Sequence, residues 1–410
     1  MQVATSLDIE QIRLRFPVLQ QEVQGNPLIY FDNAASSQTV DTVLDVLNDF
    51  YQKDHANIHR GIHTLAERST KAYEATREHI HRFISSAEVD EIIFTKGTTD
   101  GINLVARAWG SINLKEGDEI ILSGLEHHSN IVPWQMIASE KGAKIKVIPV
   151  NDNGELDIEV YKEMLNERTK MVSVNYISNS FGTVNPIHEI VDMAVNAGAA
   201  TLVDAAQAAP HLKMNVQELN CDFLAFSSHK MYGPTGVGVL YGRREVLEAM
   251  PPYQGGGEMI KNVSFEHTSY NDIPYKFEAG TPNIGDVIAL DKALDFIEEL
   301  GHDQIQQHEQ NLLQYATNKL KEVDGFRPYG TAVSKASVIS FLIDGVHQYD
   351  LGQLLDVKGI AVRTGHHCTQ PLMDHFGIDG TVRASFAVYN TKEEIDIFCD
   401  ALKKIVKRFR

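Results

Sequence analysis

Cysteine is scarce in this chain. Three occur in 410 residues, at positions 221, 368 and 399, widely spaced and with no CxxC pair. That excludes a disulfide framework and fits a reducing compartment. Long apolar runs are missing as well: no stretch approaches the roughly 20 residues that a membrane-spanning helix needs. The N-terminus lacks a charged start followed by an apolar stretch, so no signal peptide is expected. Positive charge is in deficit, with 37 Lys and Arg against 55 Asp and Glu, a net −18. Phosphate neutralisation needs clustered cations, so a nucleic-acid partner is excluded. The basic run Lys403, Lys404, Lys407, Arg408 and Arg410 reads as a helix end that complements the helix dipole. The expectation is a cytoplasmic protein with no membrane partner.

The chain does hold a regular alternation. A short helix follows Asp8, a plausible N-cap, and a short strand covers Leu28 to Asp32. Helical periodicity covers Val40–Asp54 and Leu65–Ser85. From residue 91, strands ending near Thr95, Ser123, Val150, Tyr176 and Asp204 alternate with helices. Two further strands follow at Phe223–Ser227 and Val237–Tyr241. Strands separated by helices imply right-handed crossovers and a mostly parallel sheet covered on both faces, an α/β fold. In such folds the chemistry gathers at the carboxyl ends of the strands. Pro251 to Pro282 reads as a long loop. One long helical stretch covers Asp286 to Val323, and a compact α+β unit follows. The expected division is a large domain of residues 21–289 and a small domain of residues 1–20 and 290–410.

Several segments carry candidate chemistry. The strand Phe223–Ser227 runs into Ser228, His229 and Lys230 and a glycine-rich turn. A lysine in a cleft loses its proton readily when desolvated, which suits Schiff-base chemistry. A surface lysine before a turn fits the same residues. Asp204 ends an apolar strand, where an acid needs a cationic partner, although capping of the next helix is an alternative. Gly97-Thr98-Thr99 opens a helix, a natural anion site or a simple cap by Thr98. His127 and His128 follow another strand. With His366, His367 and Cys368 they raise a metal site, but neither segment has ligand spacing such as HExxH or CxxC, so no metal is expected. Cys368 lies beside two histidines in a polar loop, a setting that favours a thiolate. Cys221 and Cys399 lack basic neighbours and read as structural. Arg383, in a short strand, can clamp a carboxylate or form a surface ion pair.

The order of these segments resembles the class V aminotransferase-like enzymes of pyridoxal 5'-phosphate (PLP) fold type I. More narrowly it resembles SufS-type cysteine desulfurases, the group that includes selenocysteine lyases. The resemblance runs from about Tyr30 to the C-terminus. It is carried by Tyr30-Phe-Asp-Asn-Ala-Ala, Asn57-Ile-His-Arg-Gly-Ile-His, Gly124-Leu-Glu-His-His-Ser-Asn, Ser228-His-Lys-Met-Tyr-Gly-Pro, Phe277-Glu-Ala-Gly-Thr-Pro-Asn and Arg363-Thr-Gly-His-His-Cys.

The resemblance implies a role for each matching position. Lys230 would hold PLP covalently, Asp204 would face its ring nitrogen, His127 would stack on the ring and Gln207 would reach the phenolic oxygen. Thr99, Ser227 and His229 would hold the phosphate, and Thr281 would complete the phosphate site of a neighbouring subunit in a homodimer. Asn179, Arg383 and Arg363 would bind the carboxylate of L-cysteine. Cys368 would take the sulfur as a persulfide, leaving L-alanine and supplying sulfur for iron–sulfur cluster assembly. The short loop around Cys368 matches the SUF-type group and implies a sulfur-acceptor protein. Thr369 departs from the alanine of many relatives. The alternatives are a selenocysteine lyase, another PLP-dependent lyase or hydrolase such as a kynureninase-like enzyme, and a scaffold that has kept the fold. The thiol-bearing loop favours the desulfurase.

Overall fold

A computed structural model describes residues 7–409. Its centre is a seven-stranded sheet. The strands lie in the spatial order Ile92–Thr95, Gly238–Gly242, Phe223–Ser227, Ala200–Asp204, Thr169–Asn175, Glu119–Ser123 and Lys144–Ile148. Gly238–Gly242 runs antiparallel to both its neighbours. The remaining pairs are parallel, as the helical crossovers demand. Every residue of Phe223–Ser227, Glu119–Ser123 and Gly238–Gly242 is buried. Both faces of these strands are covered, so their sequences read as apolar runs and not as alternations. Lysines 144 and 146 lie on the edge strand, where charge discourages pairing with another chain.

A second, antiparallel sheet has the order Phe326–Tyr329, Val338–Ile343, Thr381–Ser385 and Arg363–Gly365. Its core joins Phe341, Val382 and Ala384 to Leu351 and Leu355 of the helix Gln348–Asp356. Phe398, Leu402 and Ile405 of the helix Lys392–Phe409 complete it. Phe31 is fully buried there, edge-on to Phe386 at 5.0 Å and Phe398 at 5.6 Å. Burying one such ring stabilises the fold by about 1.5–3 kcal/mol. It also anchors the chain immediately before Asp32.

The structure differs from the sequence reading in three places. The single helix expected over Asp286 to Val323 is two, Ile284–Leu300 and His302–Leu320. Gly301 breaks it at φ +78°, a left-handed conformation that glycine adopts freely. The loop from Pro251 to Pro282 contains a hairpin, Ile260–Val263 against Thr268–Tyr270. The strand expected over Ile360–Arg363 divides between two sheets. Ile360–Ala361 pairs in parallel with Ile29–Tyr30, whereas Arg363–Gly365 joins the four-stranded sheet.

One buried ion network straps the chain beyond the hairpin to the main sheet. Arg77, 1 % exposed, donates to Glu278 at 2.8 and 3.0 Å and to the carbonyl of Ile92 at 2.7 Å. Glu278 in turn accepts from the backbone N–H of Phe94 at 2.8 Å.

Candidate active site

The carboxyl ends of the parallel strands open onto a cavity of about 300 Å³. Its lining includes Thr99, His127, Asn179, Asp204, Gln207, Ser227, His229, Lys230, Arg363, Cys368 and Arg383. The structure therefore brings together all but one of the residues to which the resemblance gives a cofactor, substrate or sulfur-carrying role. The exception is Thr281, which is exposed and does not line the cavity of its own chain.

Lys230 ends a short turn, Ser228–Lys230, that follows the buried strand Phe223–Ser227. The carbonyl of His229 accepts from Ser37 N–H and from Ser36 Oγ, each at 3.0 Å. An N-terminal turn thus fixes the backbone that carries the lysine. Burial pushes the Lys230 ammonium down to about 8, aided by the nearby guanidiniums and opposed by Asp204 and Cys368. Asp204 is buried, and its carboxylate accepts from the N–H of Ala206 at 2.9 Å. Burial raises its pKa, against the pull of Lys230.

Two histidines beside the lysine are held neutral. Burial, followed by the Lys230 charge, pushes His127 down to about 3 and His229 to about 4. Nδ1 of His127 accepts from Ser129 N–H at 3.1 Å, which leaves the ring proton on Nε2. Gln207 donates to the carbonyl of Ala34 at 2.6 Å.

At the opposite end a helix begins at Thr98, with Gly97 and not Thr98 as its cap. The Thr98 N–H donates to Ser227 Oγ at 2.8 Å, and the two hydroxyls lie 2.7 Å apart. Gly97 and Gly238 lie back to back: a Cβ on Gly238 would sit 2.4 Å from Cα of Gly97. The glycines let the helix start abut the strand, and Thr98 and Thr99 line the cavity there.

The third wall comes from the four-stranded sheet. Arg383, 1 % exposed, donates to the carbonyl of Asn179 at 2.9 Å and to Asp32 at 3.1 Å. Its Nε is buried with no partner. Asp32 also accepts from Arg363 Nε at 3.0 Å and Nη2 at 2.9 Å. Asp32 was absent from the sequence-based candidates, although it lies in the Tyr30-Phe-Asp-Asn run. An acid ending a short apolar strand, as at Asp204, was the available signal.

Cys368 is exposed, and Cys221 and Cys399 are buried. His367 and Cys368 both adopt left-handed backbone, at φ +53° and +56°. Neighbouring groups hold them there. Asn179 Nδ2 donates to the His367 carbonyl at 2.8 Å, and His128 N–H to the Cys368 carbonyl at 2.8 Å. The His128 ring accepts from Gln370 N–H at 3.1 Å, and the His366 ring accepts from Cys368 N–H at 3.1 Å. His127 therefore faces the cavity while His128 clamps the thiol loop.

Among the described residues, one grouping could hold a metal ion, His79 with Asp291 and Asp295. It involves none of the histidines or the cysteine for which a metal was weighed.

The donor set fits PLP. A desolvated lysine, a buried carboxylate and a helix start beside two hydroxyls match its aldehyde, its ring nitrogen and its phosphate.

Comparison with known proteins agrees. The aminotransferase class-V family matches residues 29–398. A cysteine desulfurase of Synechococcus elongatus is 48 % identical over 98 % of the chain, which spans 64 % of that relative's length. A probable cysteine desulfurase of Halalkalibacterium halodurans is 48 % identical over 98 % of the chain and 99 % of its own. The crystal structure of the cysteine desulfurase CsdA from Escherichia coli superposes with a TM-score of 0.92 at 38 % identity. The match covers 98 % of this chain and all of that one. The chain belongs to the aminotransferase class-V family, whose members are PLP-dependent.

Proposed function

We propose that this chain is a cysteine desulfurase that converts L-cysteine to L-alanine and keeps the sulfur as a persulfide on Cys368. The observation that carries this reading is the convergence of a half-buried, desolvated amine, Lys230, and an exposed thiol, Cys368, on one cavity. The cavity lies between the proposed large domain, residues 21–289, and the proposed small domain.

Lys230 would hold PLP, Asp204 would face its ring nitrogen, and a neutral His127 would cover its ring. Gln207 would meet the phenolic oxygen, and Thr99, Ser227 and His229 the phosphate. When bound, PLP supplies an electron sink next to the substrate's α- and β-carbons. Arg383, with Asn179 and Arg363, binds the substrate carboxylate, since all three line the cavity. Lys230 moves the α-proton, a task suited to an amine held near pH 8. Cys368 thiolate attacks the substrate sulfur. The S–S bond forms as the Cβ–S bond breaks, and that bond's electron pair stays on carbon, which then takes a proton.

Two features extend the reading. Thr281 is exposed and does not line its own cavity, which supports a homodimer in which it completes the partner's phosphate site. Cys368 is exposed on a short loop, which supports hand-off to a SUF-type acceptor for iron–sulfur cluster assembly in the cytoplasm.

The test is to incubate PLP-loaded protein with L-cysteine and dithiothreitol and to quantify alanine and sulfide. Cys368→Ser should lose at least about a hundredfold in sulfide release. A variant that releases sulfide as fast as wild type would refute the assignment.

A further inference from the structure

The thiol loop is anchored to the main-sheet unit by a buried pair of hydroxyls that do not line the cavity. Thr369 and Ser180 are both fully buried, with their oxygens 2.5 Å apart. Thr369 Oγ1 donates its single proton to the carbonyl of His366 at 2.9 Å. Ser180 must therefore be the donor to Thr369. The result is a relay from Ser180 to Thr369 to His366, which closes the turn around Cys368 and ties it to the segment after Asn179. The backbone N–H of Thr369 reaches the same His366 carbonyl at 2.9 Å. Two consecutive left-handed residues, neither a glycine, lie inside that turn. Such a backbone persists only where its surroundings over-determine it.

The other ties behave differently. Asn179 lines the cavity, and the His128 contacts come from the segment that carries His127. Ser180 and Thr369 tie the loop to a neighbouring segment through side chains that line no part of the cavity.

We propose that Ser180 and Thr369 form a latch that restrains opening of the Cys368 loop and so limits how fast the loaded sulfur leaves, with little effect on how it is acquired. They are positioning residues. The proposal rests on Cys368 carrying the sulfur, as argued above. In the hand-off an acceptor thiolate attacks the outer sulfur of the persulfide. The new S–S bond forms as the old one breaks, and the electron pair returns to Cys368 as a thiolate. The attack needs an in-line approach, which an opened loop provides and a latched loop hinders.

Thr369→Val removes the acceptor of Ser180 and the donor to His366 while keeping the side chain's shape. Ser180→Ala removes the outer tie alone, and Thr369→Ser keeps the hydroxyl. The readouts in the PLP-loaded protein are hydrogen exchange at residues 366–370, the rate of Cys368 alkylation by iodoacetamide, and alanine formed in the first turnover. Thr369→Val and Ser180→Ala should raise exchange and alkylation by about threefold or more, as a lower local opening free energy dictates. First-turnover alanine should stay within about twofold of wild type, and Thr369→Ser should alkylate at the wild-type rate. Wild-type exchange and alkylation in both Thr369→Val and Ser180→Ala would overturn the latch. So would a loss of first-turnover alanine as large as the gain in alkylation. Absence of alanine from wild type would instead defeat the desulfurase reading. The exchange and alkylation results do not depend on that activity.

Discussion

Asp32 accepts three hydrogen bonds from Arg363, at 2.9 to 3.1 Å, across 331 residues of chain. The same carboxylate holds Arg383. One acid thus holds two arginines that line the cavity. Asp32→Asn keeps the size but loses the charge and half the acceptors. KM for L-cysteine should rise by about tenfold with a smaller change in kcat, because the clamp acts on the bound carboxylate. Steady-state alanine formation measures it, and an unchanged KM would remove Asp32 from the clamp.

The depressed Lys230 ammonium sets a pH dependence for cofactor capture. Only the neutral amine attacks an aldehyde, and Lys230 is neutral above about 8. The rate at which PLP-free protein takes up PLP should climb between pH 7 and 9 and flatten beyond. Stopped-flow absorbance follows the uptake. A rate still climbing about tenfold per unit beyond pH 9 would show that burial does not depress this lysine, and Lys230→Arg should show no covalent uptake at any pH.

Acid should destabilise the protein through His127 and His229. Both fold with their pKa pushed down, to about 3 and about 4. Between those values and the unfolded value near 6.5, the unfolded chain binds the protons that the folded chain refuses. Their contribution to stability is complete above pH 6.5 and is lost as pH falls below it. The melting temperature of PLP-free protein should drop from pH 7 to pH 5, and His229→Asn should flatten part of that slope. An identical slope in the variant would assign the acid sensitivity elsewhere.

Glu278 neutralises Arg77 where neither side chain reaches water. Glu278→Ala leaves that guanidinium with Glu74 at 27 % side-chain exposure as its remaining acid. Losing one partner of a buried pair costs about 3–5 kcal/mol. Denaturant unfolding should register that loss, and a change under about 1 kcal/mol would mean the pair is not desolvated in solution.

The legible parts of this molecule are those with local signals. The buried strands announced themselves by apolar runs such as Phe223–Ser227. Lys230, Asp204 and Cys368 stood out because each places a polar or reactive group where the surrounding pattern is apolar or tight. The split at Gly301 was harder to see, since one glycine inside a helical pattern often does not end a helix. The hairpin within residues 251–282 has one face in solvent and little apolar alternation to betray it. Asp32 was missed because its meaning depends on two arginines more than 300 residues away, and no local pattern encodes such a partner. The Ser180–Thr369 contact was hidden for the same reason.

The two-residue pairing of Ile29–Tyr30 with Ile360–Ala361 bears more weight than its length suggests. A slip of one residue there would carry Asp32 along by about 3.3 Å and turn its side chain to the other face. Both guanidiniums would then lose their shared counter-charge in a single event. Accurate docking of this short strand and the proposed recognition of the substrate's acid group are therefore one and the same requirement.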